Sequence, residues 1–244
     1  MMTLGYTRLE LLRTLRNRRF LILSLAFPLG LYFLSAAPNR HELDLRGTGI
    51  SAPLYFMVGL AAFGTMAAML SSGARIAAER TAGWTRQLRL TPLPAGAYLR
   101  TKIVTGYAMA MLTLGLLYLG GLVLGVRLAP AQWLAMTGLI LLALVPFAAF
   151  GVWLGHVITV DAIGPAVGAT TAVLSFISGA WYPLGHGTLE DIAQCLPSYW
   201  LIQASRVSLA GDVWPAKGWL VVAAWSVAMI ALAARAYRRD TQRV

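Results

Sequence analysis

Six apolar stretches divide this chain, at about residues 20–37, 52–74, 103–126, 132–155, 163–182 and 216–234. Each approaches the roughly 20 residues that a helix needs to cross a hydrocarbon core. Threading the stretches back and forth sorts the charge onto two faces. Fifteen of the 20 Lys and Arg fall on one side, in residues 8–19, 75–102 and 235–243, and that side holds only four acids, Glu10, Glu79, Asp161 and Asp240. That side carries the whole net +11; the other, with five bases and five acids, is neutral. The positive-inside rule makes the basic side cytoplasmic. The pattern predicts an all-α integral membrane protein of six spans, one domain over residues 1–244, with both termini cytoplasmic.

The composition points the same way, since 58% of residues are hydrophobic and 12% charged, against about 25% charged in an average soluble domain. A pI near 10.5 raises nucleic acid as a partner, but these basic residues flank apolar stretches, where they meet anionic lipid headgroups. Membrane lipid is the expected partner and nucleic acid is not. Cys195 is the sole cysteine, so neither an internal disulfide nor a cysteine-rich metal site is expected. The basic start, the apolar run from Phe20 and Ser35-Ala36-Ala37 imitate a secretory signal. The long basic lead and the five later stretches favour a retained span.

Residues 3–19 read as a basic amphipathic helix. Leu4, Leu11, Leu12 and Leu15 share one stripe, with Arg13 and Arg16 opposite. Such a helix beside a span lies in the interface with its arginine stems snorkelling, either as an anchor or as a lever on a cytoplasmic partner. The segment 75–94 is the most informative on the basic side. It runs Arg75-Ile76-Ala77-Ala78-Glu79-Arg80-Thr81-Ala82-Gly83-Trp84-Thr85-Arg86-Gln87-Leu88-Arg89-Leu90-Thr91-Pro92-Leu93-Pro94. It reads as a short helix that Thr91-Pro92 stops, with Gly83 permitting a bend. Trp84, Leu88 and Leu90 supply apolar contact area and Arg80, Arg86 and Arg89 supply charge, which suits a docking surface better than a plain connector.

This segment resembles the Glu-Arg-x-x-Gly-x-x-x-x-Leu-x-x-x-Pro signature of the coupling helix in type-2 ABC exporter permeases. The order of interfacial helix and six spans is similar too. Between the last two spans, Ser178-Gly179-Ala180-Trp181-Tyr182-Pro183-Leu184, Leu196-Pro197-Ser198-Tyr199-Trp200 and Ala204-Ser205-Arg206 resemble the family's Ser-Gly-x-x-Phe-Pro, Leu-Pro-x-x-Tyr and Arg pattern. Trp84 stands where Thr is commoner, and Trp181-Tyr182 where an aliphatic-Phe pair is usual.

The resemblance, which covers the whole chain and leans toward the small drug-export members, implies a specific arrangement. Glu79, Arg80, Gly83, Trp84, Arg86 and Leu88 would form the coupling helix, docking an ABC ATPase dimer together with Leu12, Arg13 and Arg16 of the interfacial helix. Phe56, Phe63, Met66 and Phe176 would line a path between this chain and a second copy or a related permease. Ser178, Gly179, Trp181, Tyr182 and Pro183 would form the outer gate. Residues 183–215 would hold re-entrant helices, although their Pro, Gly, Tyr and Trp content also suits a loop lying on the headgroups. The implied setting is a bacterial plasma membrane, with a small hydrophobic or amphipathic substrate: a drug, a lipid or a peptide-like molecule.

Neither of the two lysines, Lys102 and Lys217, sits in a phosphate-cradling Gly-x-x-x-x-Gly-Lys-[Ser/Thr] loop. Catalytic residues and a bound cofactor are therefore not expected in this chain; ATP and Mg would belong to the partner ATPase. No ionisable residue falls mid-span, which disfavours an ion-coupled carrier. His156 and Asp161 lie where the fourth stretch ends and suit a solvated turn better than a proton site. No clustered metal-ligand set or hydrolase motif appears. The alternatives are an ATP-independent secondary carrier and a non-transport membrane scaffold.

Overall fold

A computed structural model describes residues 2–45, 48–84, 87, 90, 95–185, 187–210 and 214–242. Among these residues the regular structure is entirely helical. The chain opens with α1 (Met2–Arg16), then α2 (Arg18–Leu21), a π-helical turn at Ile22–Ala26 and α3 (Phe27–Ala36). Pro28 lacks the N–H that an α-helix would direct at the Ser24 carbonyl, and the wider turn lies where that bond is missing. The long helices α4 (Ala52–Thr81) and α5 (Ala95–Val123) follow.

The next apolar stretch is broken into α6 (Pro130–Ala143) and α7 (Val145–Val157). Pro146 sits in the first turn of α7, so the break is the expected consequence of a proline within a helical run. A 3-10 turn at Val160–Ala162 leads into α8 (Ile163–Ile177). Two shorter helices, α9 (Thr188–Ala193) and α10 (Pro197–Ala210), precede the terminal α11 (Ala216–Gln242).

Among the described residues five helical runs are long and apolar enough to cross a membrane: Ala52–Thr81, Gly96–Val123, Pro130–Val157, Val160–Ile177 and Ala216–Asp240. The first of the six stretches instead contains the shorter apolar helix Ser24–Ala36. Burial ranks the long helices. The apolar window of α4 is 78% buried, against 17% for the run containing α8 and 11% for α11. So α4 is the axis of the molecule, packed against α3, α5, α7 and α8, while α11 leans on α7 and α10 on α6. An apolar cleft of about 430 Å³ remains between α8 and α11, with Phe147 and Phe150 of α7 among its walls.

The α4–α7 contact is backbone on backbone. A Cβ at Gly73 would lie 2.2 Å from the Gly151 carbonyl carbon, and one at Gly155 would lie 2.4 Å from the Gly73 carbonyl oxygen. The Gly151-x-x-x-Gly155 spacing is thus spent inside the chain, as small residues in membrane helices allow. Gly164 and Gly168 on α8 differ, because a Cβ at either would meet nothing within 4 Å.

Candidate functional site

The basic end of α4 is held by charge buried between three helices. Lys102 on α5 is 2% exposed, Glu10 on α1 is 8% exposed and Glu79 on α4 is 9% exposed. The Lys102 ammonium donates to Glu10 Oε1 at 2.7 Å and also to Glu79 Oε1. The Tyr98 hydroxyl, one turn before Lys102, donates to Glu79 Oε2, and the ammonium lies 5.4 Å from the Tyr98 ring centre. Arg75, one turn before Glu79, interacts electrostatically with both carboxylates. Two acids therefore face two cations, and the lone pairs of Glu79 are taken up by hydrogen bonds. Burial of unpaired ions costs several kcal/mol each, and the pairing of acids with cations offsets that cost.

Position within each helix explains the meeting. Thr7, Glu10 and Thr14 recur every three or four residues on one face of α1. Thr7 Oγ1 lies 2.8 Å from Thr101 Oγ1, and Thr14 Oγ1 accepts from Arg75 Nη1 at 3.3 Å. Together with Glu10–Lys102 these contacts fasten α1 to α4 and α5 along a polar stripe. Ser72 Oγ donates to the Lys102 carbonyl at 2.7 Å and adds an α4–α5 bond. The packed face of α1 is hence polar, while Leu9, Leu12 and Leu15 are exposed and Leu11 is half-buried. Arg13 and Arg16 are exposed as well. Burial pushes the Tyr6 phenol up to about 12, against a smaller downward pull from the Trp84 indole beside it. Residues of α1 and of the segment after α4 thus touch.

The sequence suggested one short helix through residues 75–94 with Gly83 inside it. The structure corrects this: α4 itself runs to Thr81, and Gly83, at φ +69°, stops it. A left-handed residue cannot continue a right-handed helix, and glycine adopts it without a Cβ clash. Trp84 and Gln87 are again helical, and the Gln87 N–H donates to the Gly83 carbonyl at 3.2 Å. Trp84 is 36% exposed and Leu90 88% exposed, so apolar contact area is on offer just past the break. Arg86 and Leu88 lie outside the described residues. Glu79, read from the sequence as a surface docking contact, is turned inward to Lys102 and Tyr98. Arg80 is half-buried, with Nε 2.8 Å from Asp240 Oδ2. Asp161 is exposed, and His156 packs edge-on to Tyr237.

At the other end of the helices the remaining sequence-predicted residues gather. The Tyr55 hydroxyl donates to the Gly179 carbonyl at 2.5 Å, and Ser178 Oγ lies 2.6 Å from Ser198 Oγ. These bonds tie the turn after α8 to the top of α4 and the start of α10. Trp181 stacks on Phe176 at 5.9 Å and meets Phe63 edge-on at 5.7 Å, with Tyr182 6.2 Å from Phe176. Pro183 is half-buried. Phe56 and Phe63 lie on a half-buried stripe of an otherwise buried α4, along with Ala67, Ser71 and Arg75. Met66 is not on that stripe; it is 1% exposed, inside the packed core of the chain.

Sequence reasoning missed the Glu10–Lys102 pairing, though two signals pointed to it. Glu10 is the sole acid in the first 41 residues, amid arginines, and Lys102 is one of only two lysines. No metal-ligand cluster occurs among the described residues.

Over residues 47–235 the chain matches the family described as "ABC-2 family transporter protein". It is also 29% identical over 196 residues to "Putative transport permease YvfS" of Bacillus subtilis (strain 168), covering 78% of each chain.

Proposed function

The chain belongs to the ABC-2 family of transporter proteins and is a membrane permease of an ABC transporter, and from that membership we propose a division of labour among its helices. The permease works as half of an exporter in the plasma membrane of a bacterium, with the basic face and both termini in the cytoplasm. The run Pro130–Val157 crosses the membrane once despite its break, and the helices from Arg18 to Ala36 supply the first of six crossings. Residues 183–215 form a re-entrant cap on the outer side. The whole of residues 1–244 acts as one domain.

A separate ABC ATPase dimer, which binds ATP and Mg, docks on the segment beyond Gly83. Trp84, Arg86, Leu88 and Leu90 make the contact, with Arg13 and Arg16 of α1 alongside and Arg80 held behind them. Glu79 serves not as a docking contact but as a brace. The observation that carries this reading is the buried Glu10–Lys102–Glu79 cluster. It makes α1, the end of α4 and the start of α5 one body, so a push on the Trp84 segment reaches the axial helix without being lost in a flexible loop.

The path for substrate runs between two copies of the chain. In support, α4 has a single half-buried stripe, and α8 presents Gly164, Gly168 and Phe176 on an exposed face. The aromatic band of Phe63, Trp181, Phe176 and Tyr182 joins these two faces and suits a hydrophobic or amphipathic substrate. Closure at the outer end rests on Ser178, Gly179, Trp181, Tyr182 and Pro183.

The test is purification of the tagged chain in mild detergent, followed by mass spectrometry of what stays bound. A soluble ATPase is expected at equal stoichiometry, with Trp84→Asp reducing its recovery at least about ten-fold, or about 1.4 kcal/mol. A chain that is always recovered alone, yet moves solute into liposomes without ATP, would replace this reading with a secondary carrier.

A further inference from the structure

Where α4, α7 and α11 end together on the basic face, they line an open cavity of about 360 Å³. Its wall carries Arg80, His156, Arg235 and Arg239, with Trp153 and Leu232 as its apolar side. That volume falls within the roughly 300–1,000 Å³ of ligand-sized sites. Arg80 is locked in place: Nε binds Asp240 at 2.8 Å, and Nη1 donates to the Gly155 and His156 carbonyls at 3.3 and 2.7 Å. It thereby serves the orphan carbonyls at the end of α7. Arg235 and Arg239 are four residues apart, hence on one face of α11, and both are exposed. Among the described residues neither forms an ion pair. Three guanidiniums thus converge on one concavity that contains a single carboxylate, Asp240.

Arginines that merely end a span spread outward to water and headgroups. Here they ring a cavity whose floor is aromatic and aliphatic, with Leu232 37% exposed. Guanidinium forks match the oxygens of a phosphate, and basic pockets between membrane helices accept lipid headgroups. An inorganic phosphate would use the rim and leave Trp153 and Leu232 wet, whereas a phospholipid covers both. We propose that this cavity is a binding site for an anionic phospholipid, the phosphodiester held by Arg80, Arg235 and Arg239 and an acyl chain lying along Trp153 and Leu232. Arg80 lies three residues before Gly83, so the bound lipid also steadies the root of the Trp84 segment. The site rests on the membrane-spanning reading and not on the ATPase partnership.

The test compares three proteins purified in mild detergent: wild type, Arg235→Gln/Arg239→Gln, and Arg13→Gln/Arg16→Gln as a control of equal charge loss on α1. Each is titrated with phosphatidylglycerol, phosphatidylcholine and inorganic phosphate, with bound lipid counted by native mass spectrometry. Wild type and the α1 control are expected to hold one phosphatidylglycerol per chain in preference to phosphatidylcholine, and the α11 pair to bind it at least about ten-fold more weakly. Arg235→Lys/Arg239→Lys, which keeps the charge but loses the fork, is expected to fall between. Equal loss in the α1 control would show diffuse attraction instead of a site. Displacement of the lipid by an equal concentration of inorganic phosphate would mark a free-anion site and overturn the proposal. So would unchanged lipid binding in the α11 pair together with loss of a copurifying protein, which would make this face a protein interface.

Discussion

Lys102 hydrogen-bonds both Glu10 and Glu79, and all three groups are buried. Removing one partner of a buried ion pair costs about 3–5 kcal/mol, because the survivor is left charged without solvent, whereas removing every partner costs far less. Lys102→Met is therefore expected to destabilise the folded chain by about 3–5 kcal/mol, read as a lowered unfolding midpoint of the detergent-purified protein. The combined variant Glu10→Gln/Lys102→Met, which leaves Glu79 facing Arg75, is expected to recover most of that loss. A single variant as stable as wild type would mean that water reaches the cluster. None of this pairing is written in local pattern. Leu4, Leu11, Leu12 and Leu15 suggest which face of α1 is apolar, yet the face that packs inward is Thr7, Glu10 and Thr14. Partners 92 residues apart leave no periodicity to read.

Two kinds of glycine in the helices make a second contrast. Gly73 has the Gly151 backbone where its Cβ would go, and Gly168 has open space. Gly73→Ala has to push α4 and α7 apart, an overpacking cost of about 1–3 kcal/mol or more. Gly168→Ala is expected to leave the stability of the single chain within about 0.5 kcal/mol, as surface substitutions do. Thermal unfolding of both variants in detergent checks the pair, and equal destabilisation would show that α8 is packed where the structure has it bare. Spacing alone could not rank these glycines, since Gly151-x-x-x-Gly155 and Gly164-x-x-x-Gly168 are the same motif. Pro146 was more legible, because a missing donor breaks a helix whatever surrounds it. Gly83 was half legible: its freedom was plain in the sequence, but whether it bends a helix or ends one depends on the φ it adopts.

The sorting of charge by apolar stretches is a property of the entire chain, and five of the six stretches reappear as long apolar helical runs among the described residues. Apolar length is local and so could be read directly, as the five long runs show. The segment 20–37 was harder, since Pro28 divides it and a count of apolar residues does not register a missing hydrogen bond. Cys195 offers a direct check on orientation. It is exposed, follows α9, and is the sole cysteine in the chain. In intact cells a membrane-impermeant maleimide is expected to label Cys195, whereas in a Cys195→Ser background Arg239→Cys should label only after permeabilisation. The reverse order would turn the molecule over and put the Trp84 segment outside.

The ion cluster also sets an order on the making of the protein. Ribosomes add about 5–20 residues per second, so the 92 residues from Glu10 to Lys102 take about 5 to 18 s to appear. Throughout that interval Glu10 has been synthesised and its ammonium partner has not. The first helix to leave the ribosome thus waits for α5, the helix after the axial one, before its buried carboxylate meets that ammonium. A nascent chain stalled before Lys102 would carry both carboxylates without that partner, a state that quality-control proteases could recognise by its loose amino terminus.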